Sequence, residues 1–283
     1  MKLLYDEPLR LHTTIGVGGN ARVFAYPETD DELLSLLGSN FFVIGRGSNL
    51  IFTDEGFDGT VISLERCFNE PVFERVDGVT PLVRTGGGIS LSVLLAQAAK
   101  EGLSGLEFLW GIPGSVGGAC YTNAGAFGTS FLEFVTEMRV LTYANSTITS
   151  YTKEEIEFSY RRGVRSGIVK EVLLKFKRGN VRESLLKVKK WRNEHQPMGE
   201  RTAGCIFKNP PGGYAGSLIE SAGLKGKRIG GASISKKHAN FVINHGDATS
   251  ADVLSLIELA RQRVLEMFGI ELEPEVEVVD RCS

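Results

Sequence analysis

Apolar and polar positions alternate along this chain in short bursts, and no single period runs for long. Phe41–Ile44 is a four-residue apolar run of strand type, and residues 21–26, 60–64, 81–85 and 167–177 carry the same β-branched, alternating character. Residues 134–143 and 147–151 flank Asn145-Ser146 and predict a hairpin. Helices are announced by their caps. Thr29-Asp30-Asp31-Glu32 and Thr152-Lys153-Glu154-Glu155 are capping boxes, in which hydroxyl and carboxylate satisfy the first free amides. The first predicts a helix ending at Gly38, the second a short helix ending before Ser159. Ser90 caps a helix through Leu91, Val93, Leu94, Leu95 and Ala98, closed by Gly102.

The pattern changes near Gly179-Asn180. Residues 182–194 predict an exposed basic helix with Leu185, Leu186, Val188 and Trp191 as its apolar face, stopped before Pro197. A short helix over 216–222 is capped by Gly223. Thr249 or Ser250 starts the longest helix, through Val253, Leu256, Ile257, Ala260, Val264 and Phe268 to Gly269, and 272–278 alternates like a strand. Adjacent strands with interspersed short helices argue for an α+β fold and against a regular βαβ series.

One stretch stands out from this pattern. Residues 111–128 contain six glycines among eighteen positions, so backbone amides can approach a ligand closely and form a nest of partial positive charge that needs no lysine. A glycine-rich surface loop is the plainer reading. Ile112, Pro113, Val116, Tyr121 and Phe127 argue against it, because they would hold the loop on a core. Two further glycine-rich turns lie at 12–20 and at Gly45-Arg46-Gly47-Ser48-Asn49-Leu50, the latter directly after the strand Phe41–Ile44. Neither the dinucleotide fingerprint G-x-G-x-x-G nor the phosphate loop G-x-x-x-x-G-K-[ST] occurs, which disfavours a Rossmann dehydrogenase and a P-loop NTPase.

Composition narrows the partners. With 283 residues, 42% hydrophobic and 23% charged, the chain is an ordinary globular protein of two or three subdomains. A formal net charge of −2 gives no reason to expect nucleic acid or an anionic membrane. No apolar stretch suits a signal peptide or a membrane span. The four cysteines, Cys67, Cys120, Cys205 and Cys282, show no paired spacing, so neither a disulfide framework nor zinc is indicated, no metal is expected, and a reducing cytoplasm is the expected location. Against that neutral balance, Lys225, Lys227, Arg228, Lys236, Lys237 and His238 cluster within fourteen residues. The cluster is a candidate anion site or a solvated basic face.

With these segments in view the chain resembles the UDP-N-acetylenolpyruvoylglucosamine reductases, from Thr13-Thr14-Ile15-Gly16-Val17-Gly18-Gly19 to Pro274-Glu275-Val276. Four motifs carry the resemblance, at 45–50, 111–128, 204–210 and 272–276; the first two also resemble a wider superfamily of FAD-binding oxidases. The resemblance implies an FAD-binding fold of the vanillyl-alcohol-oxidase/PCMH type, two α+β subdomains over 1–66 and 67–178, with a substrate-binding α+β subdomain over 179–270 and a final strand, 271–283, returning to the first. It implies non-covalent FAD, with NADPH as co-substrate and reductant. It implies a nucleotide-sugar substrate and peptidoglycan precursor synthesis, and a monomer is the favoured state. FAD is expected on Gly45, Arg46, Gly47, Ser48, Asn49, Leu50, Gly111, Ile112, Pro113, Gly114, Ser115, Gly118, Ala119, Asn123 and Gly125, with Ile168 near its adenine-ribose side. Tyr160, Lys208, Asn209, Lys225 and His238 match substrate-contacting positions, the cations suiting a diphosphate. His12, His195 and His245 are read as ordinary polar residues.

The implied chemistry reduces a carbon-carbon double bond conjugated to a carboxylate. Hydride adds to the terminal carbon, charge develops into the carboxylate, and an acid protonates the α-carbon. The family's three groups match Arg161, Glu275 and Cys205. A preorganised cation facing developing charge is usually the largest single contribution. A glutamate beside an enolate helps only when protonated, so a raised pKa is expected for Glu275 from burial and like charge. Two positions depart from the family pattern: Cys205 replaces serine, and Gly163 stands where serine is common. A free thiol titrates near about 8.5, far below an alcohol, so Cys205 is an easier donor unless nearby cations convert it to thiolate. Two readings share parts of this pattern: a flavin oxidase of the same superfamily, which has no need of Lys208-Asn209, and a nucleotide-binding module that has lost its acid.

Overall fold

A computed structural model of the chain describes residues 1–38, 40–69, 74–76 and 80–282. The chain divides into two compact units, one of Met1–Leu3, Ala25–Arg46 and Val61–Trp191, the other of Leu4–Phe24, Gly47–Thr60 and Arg192–Ser283.

The first unit is built on an antiparallel sheet in the order Ile148–Thr152, Val135–Thr142, Gly167–Lys175, Leu82–Gly86, Glu74–Val76. The predicted hairpin is there, with Ser146 in the left-handed region at φ 54° and the Asn145 carboxamide accepting hydrogen bonds from Thr147. Val135, Met138, Val140, Val169, Val172 and Leu174 bury one face of the sheet. The helix Leu91–Lys100 covers it with Leu91, Leu94, Leu95 and Ala98, and Ser90 caps that helix by accepting from Val93 N–H at 3.3 Å. A second helix, Val116–Thr122, was not predicted. It lies inside the glycine-rich stretch, packs Val116, Ala119 and Cys120 into the same core, and closes on Asn123 at φ 47°.

In the second unit the helix Ser250–Phe268 is the main element. Val253, Leu256, Ile257, Ala260 and Val264 bury against Ile219, Leu224, Ile234 and Val242, the last two from the antiparallel sheet Arg228–Ile229, Ala232–Ile234, Val242–Asn244. Both ends follow the sequence. Thr249 accepts from Asp252 N–H at 3.1 Å while Asp252 accepts from Thr249 N–H at 3.0 Å, and Gly269 ends the helix at φ 67°. Glu277–Val279 pairs in parallel with Leu50–Phe52. A further sheet runs in the order Lys2–Pro8, Asn20–Tyr26, Phe57–Ser63, Phe41–Ile44.

Four expectations change. The strand expected over 272–278 is only Glu277–Val279, because Pro274 has no N–H to donate and the neighbouring groups bond one segment, Lys208 N–H to the Glu273 carbonyl and Glu275 N–H to Ile206. The basic helix is Val181–His195, and its inward row is Val181, Leu185, Val188 and Arg192, spaced four, three and four. Leu186 and Trp191 fall off that row and are 57% and 39% exposed. Thr152 opens only a 3-10 turn, Lys153–Glu155. The strand Lys2–Pro8 was missed because most of its side chains are exposed and no apolar alternation marks it.

Thr249→Ala is expected to destabilise the protein by about 1 kcal/mol, and Thr249→Ser by much less, in urea unfolding followed by circular dichroism. Equal stability of all three proteins would show that the capping box contributes nothing.

Candidate active site

Within the first unit two motifs seventy positions apart meet. A Cβ at Gly45 would lie 2.6 Å from Ser115 Oγ, so only glycine fits beside Ser115. Ser115 is buried and caps the helix Val116–Thr122 through Gly118 N–H at 3.1 Å. The amides of Val116 and Gly117 donate to the Ile89 and Gly87 carbonyls at 2.8 and 2.7 Å. The expected nest of amides is therefore partly spent inside the protein. Those bonds anchor the helix on the strand end at Gly86 and leave the preceding turn, Gly111 to Gly114, as the half-exposed rim. Arg46 pairs with Glu65 at 2.8 Å. Ile168 is buried with Leu33, Ile62, Leu64, Cys67 and Leu141.

Arg161 belongs to the same unit. Ser159 and Arg162 exchange two backbone hydrogen bonds, N–H to carbonyl, at 2.8 and 3.1 Å, so Tyr160 and Arg161 form the tip of a two-residue turn with Arg161 at φ 57°. Two contacts fix this turn. The Asn123 carboxamide donates to the Ser159 carbonyl at 2.9 Å and accepts from Leu132 N–H at 3.1 Å. Gly163 N–H and Val164 N–H donate to the Tyr121 and Cys120 carbonyls. A Cβ at Gly163 would sit 1.8 Å from the Cys120 carbonyl oxygen, which accounts for glycine where the family pattern has serine. The Arg161 guanidinium lies over the Tyr160 ring, 5.1 Å from its centroid, and its Nη1 would be 3.2 Å from a Cβ at Gly125. The turn thus presents its cation at the glycine-rich stretch.

The second unit holds the other half of the predicted set. Residues 205–208 run between two partners: Cys205 bridges Phe241, Ile206 N–H donates to the Asn240 carbonyl at 2.9 Å, and Glu275 N–H donates to the Ile206 carbonyl at 2.7 Å. Cys205 and Glu275, seventy residues apart, thereby occupy neighbouring segments, both half-buried. Asn49, expected at the cofactor, donates from Nδ2 to the Glu275 carbonyl at 3.1 Å and accepts Glu277 N–H at 3.0 Å. It braces the glutamate segment from behind.

The expected diphosphate cations already carry carboxylate partners. Lys208 pairs with Glu273 at 2.5 Å and Lys225 with Glu220 at 2.7 Å. All four groups are partly exposed, so trading these carboxylates for a phosphate costs little. Asn209 accepts from Ala215 N–H at 3.1 Å at the start of the helix Ala215–Ser221. His238 accepts from Asn240 N–H at Nδ1, at 3.3 Å, which puts the proton of its neutral ring on Nε2. Burial and then Lys225 push its pKa below the ordinary 6.5, partly offset by Glu220. Elsewhere, burial holds Cys120 and Cys67 as thiols, the latter up at about 11. Among the described residues no His, Cys, Asp or Glu group could hold a metal, and no helix is long and apolar enough to cross a membrane.

A family model for the FAD binding domain matches residues 21–152, and one for the UDP-N-acetylenolpyruvoylglucosamine reductase C-terminal domain matches residues 196–279. The chain is 43% identical to the UDP-N-acetylenolpyruvoylglucosamine reductase of Anoxybacillus flavithermus and 40% identical to that of Bacillus subtilis, in each case over 98% of this chain and 94% of the relative. The chain belongs to the UDP-N-acetylenolpyruvoylglucosamine reductase family. The crystal structure of the reductase from Thermus caldophilus superposes with a TM-score of 0.81 at 38% identity, covering 98% of both chains. The protein is accordingly an FAD-dependent oxidoreductase, with an α+β FAD-binding domain followed by an α+β C-terminal domain.

Sequence reasoning missed Asn240 and Asn244. Both are 3% exposed, and Asn244 donates to the Ile15 and Gly16 carbonyls while accepting from Gly246 and Ala248 N–H. The available signal was a pair of asparagines bracketing the apolar run Phe241-Val242-Ile243, polar groups that must find partners when buried.

The lowered pKa of His238 has a definite sign. The unfolded chain takes up this proton first, so the stability it contributes is full above about pH 6.5 and falls as pH drops through the folded value. The His238 Cε1–H resonance is expected to titrate with a midpoint below 6.5, and His238→Gln to shallow the acid-side fall in Tm. A midpoint at or above 6.5 would contradict the lowering by burial and Lys225.

Proposed function

We propose that Arg161, Cys205 and Glu275 carry the family's reaction, reduction of the enolpyruvyl double bond of UDP-N-acetylglucosamine enolpyruvate to UDP-N-acetylmuramate. The cofactor fit rests on the glycine-rich segments themselves, brought together where Gly45 leaves room for the Ser115 side chain, because glycine backbone can approach a pyrophosphate closely. Gly45, Arg46, Gly47, Ser48, Leu50, Gly111, Ile112, Pro113, Gly114, Ser115, Gly118, Ala119, Gly125 and Ile168 would hold FAD, with Asn49 and Asn123 bracing the loops. FAD reduced by NADPH supplies the hydride.

The remaining work falls to this chain's own groups. Arg161 receives the substrate carboxylate and stabilises the negative charge that develops there, its guanidinium preset by the Tyr160 ring and the left-handed turn. Cys205 gives its thiol proton to the α-carbon, and the thiolate left behind regains a proton from solvent. Glu275 stands as the second group beside the enolate, where its carboxyl in the protonated form would donate a hydrogen bond to it. Lys208, Asn209, Lys225 and His238 take the diphosphate and sugar, and Tyr160 is a further substrate contact. The reading includes a cytoplasmic, monomeric enzyme. Its single strongest support is the Ile206 carbonyl bond that sets Glu275 beside the cysteine segment.

Cys205→Ala is expected to bleach with NADPH as the wild type does and to reoxidise with the enolpyruvyl nucleotide at least about 100-fold more slowly under anaerobic conditions. Unchanged turnover in that variant would remove Cys205 from the acid role.

A further inference from the structure

The carboxamide of Asn240 is fully committed to one residue of the cysteine segment. Its Oδ1 accepts Phe207 N–H at 2.9 Å and its Nδ2 donates to the Phe207 carbonyl at 2.8 Å. The Asn240 main chain is used separately, the carbonyl by Ile206 N–H at 2.9 Å and the N–H by His238 Nδ1 at 3.3 Å. A buried side chain that satisfies both main-chain groups of one residue acts as a rung of sheet where no strand runs. On the other edge the Ile206 carbonyl takes Glu275 N–H at 2.7 Å, and Asn49 Nδ2 holds the Glu275 carbonyl at 3.1 Å. Hydrogen bonds thus run in sequence from Asn49 through Glu275 and Ile206 to Asn240 and His238. Cys205 sits two residues from the Phe207 clamp.

We propose that Asn240 is a positioning residue for proton transfer: by clamping Phe207 it fixes the Cys205 main chain against the Glu275 segment, and so fixes where the thiol delivers its proton. The inference rests on Cys205 being the acid. Carbon is a slow proton acceptor that demands alignment, and a misplacement of about 1 Å can cost about 100-fold. No main-chain bond of residue 240 depends on its side chain, so substitution there disturbs the Phe207 clamp selectively. Asn240→Asp keeps an acceptor for Phe207 N–H and loses the donor to its carbonyl; Asn240→Ala loses both.

The test uses the flavin-loaded enzyme in three measurements. Both variants are expected to be reduced by NADPH at the wild-type rate and to reoxidise with the enolpyruvyl nucleotide about 10- to 100-fold more slowly, alanine more so than aspartate. In a double-mutant cycle with Cys205→Ala, Asn240→Asp should add almost nothing, because the group it positions is gone. Without substrate, the rate of Cys205 alkylation by iodoacetamide, read on its peptide by mass spectrometry, should change in Asn240→Asp while that of exposed Cys282 does not. Should Asn240→Ala fail to fold, Asn240→Asp carries the comparison. Wild-type reoxidation, equal slowing of both half-reactions, or a full effect persisting on the Cys205→Ala background would each overturn the positioning role. Wild-type reoxidation of Cys205→Ala itself would overturn the acid assignment, and this inference with it, in a protein whose Asn240 is intact.

Discussion

The hydrogen bond from Glu275 N–H to the Ile206 carbonyl, 2.7 Å long, is the contact that sets the Glu275 segment against the Cys205 segment in the second unit. It joins segments that are remote in sequence and have no regular strand to hold them. Pro274 prevents a continuous ladder there, so separate devices do the work: Asn49 behind Glu275, Asn240 on Phe207, and the apolar anchors Ile206, Phe207, Leu272 and Val276, all 5% exposed or less. Each hydrogen bond contributes about 1 kcal/mol net, whereas stranding its buried partner costs about 1–3 kcal/mol. The penalty for misplacement, more than the gain, keeps the segment in one register. Cys205, the proposed acid, would need that constancy to meet carbon.

The first unit solves a different problem with related means. Its cradle must let backbone approach a cofactor, and glycine alone is too mobile to form one. The protein ties the glycines down from behind, through Gly117 N–H on Gly87, Val116 N–H on Ile89 and the Ser115 cap. The same economy shapes the Arg161 turn, where Asn123 and the close approach of Gly163 to Cys120 hold a left-handed arginine. A cation preset in this way does not reorganise when charge develops before it. Lys208 and Lys225, by contrast, rest on partly exposed, exchangeable carboxylates, which would suit the substrate role proposed for them.

Much of this was legible in the sequence because local chemistry declared it. The caps Thr29, Ser90 and Thr249 and the stop Gly269 each act as their residue types predict, and the Asn145-Ser146 turn closes its hairpin. Glycine misled in one place: the low helix propensity of Gly117-Gly118 hid a helix that tertiary packing of Val116, Ala119 and Cys120 makes stable. The exposed strand Lys2–Pro8 lacked a period to read. The motif match pointed to Cys205 and Glu275 but said nothing of Asn240, because a side chain that mimics a strand leaves no periodic trace. Asn49 and Asn123 matched cofactor positions, and their carboxamides hold the Glu275 and Ser159 carbonyls.

The central claim is that a thiol, and no other group, protonates the α-carbon. The pH dependence of substrate-driven flavin reoxidation tests it most directly, compared between the wild type and Cys205→Ser. A thiol donor must be protonated, so the wild-type rate should fall as pH rises through the thiol range, near about 8.5 for a free cysteine, and that limb should vanish in the serine variant, whose hydroxyl does not titrate there. The same alkaline limb in both proteins would show that another acid delivers the proton.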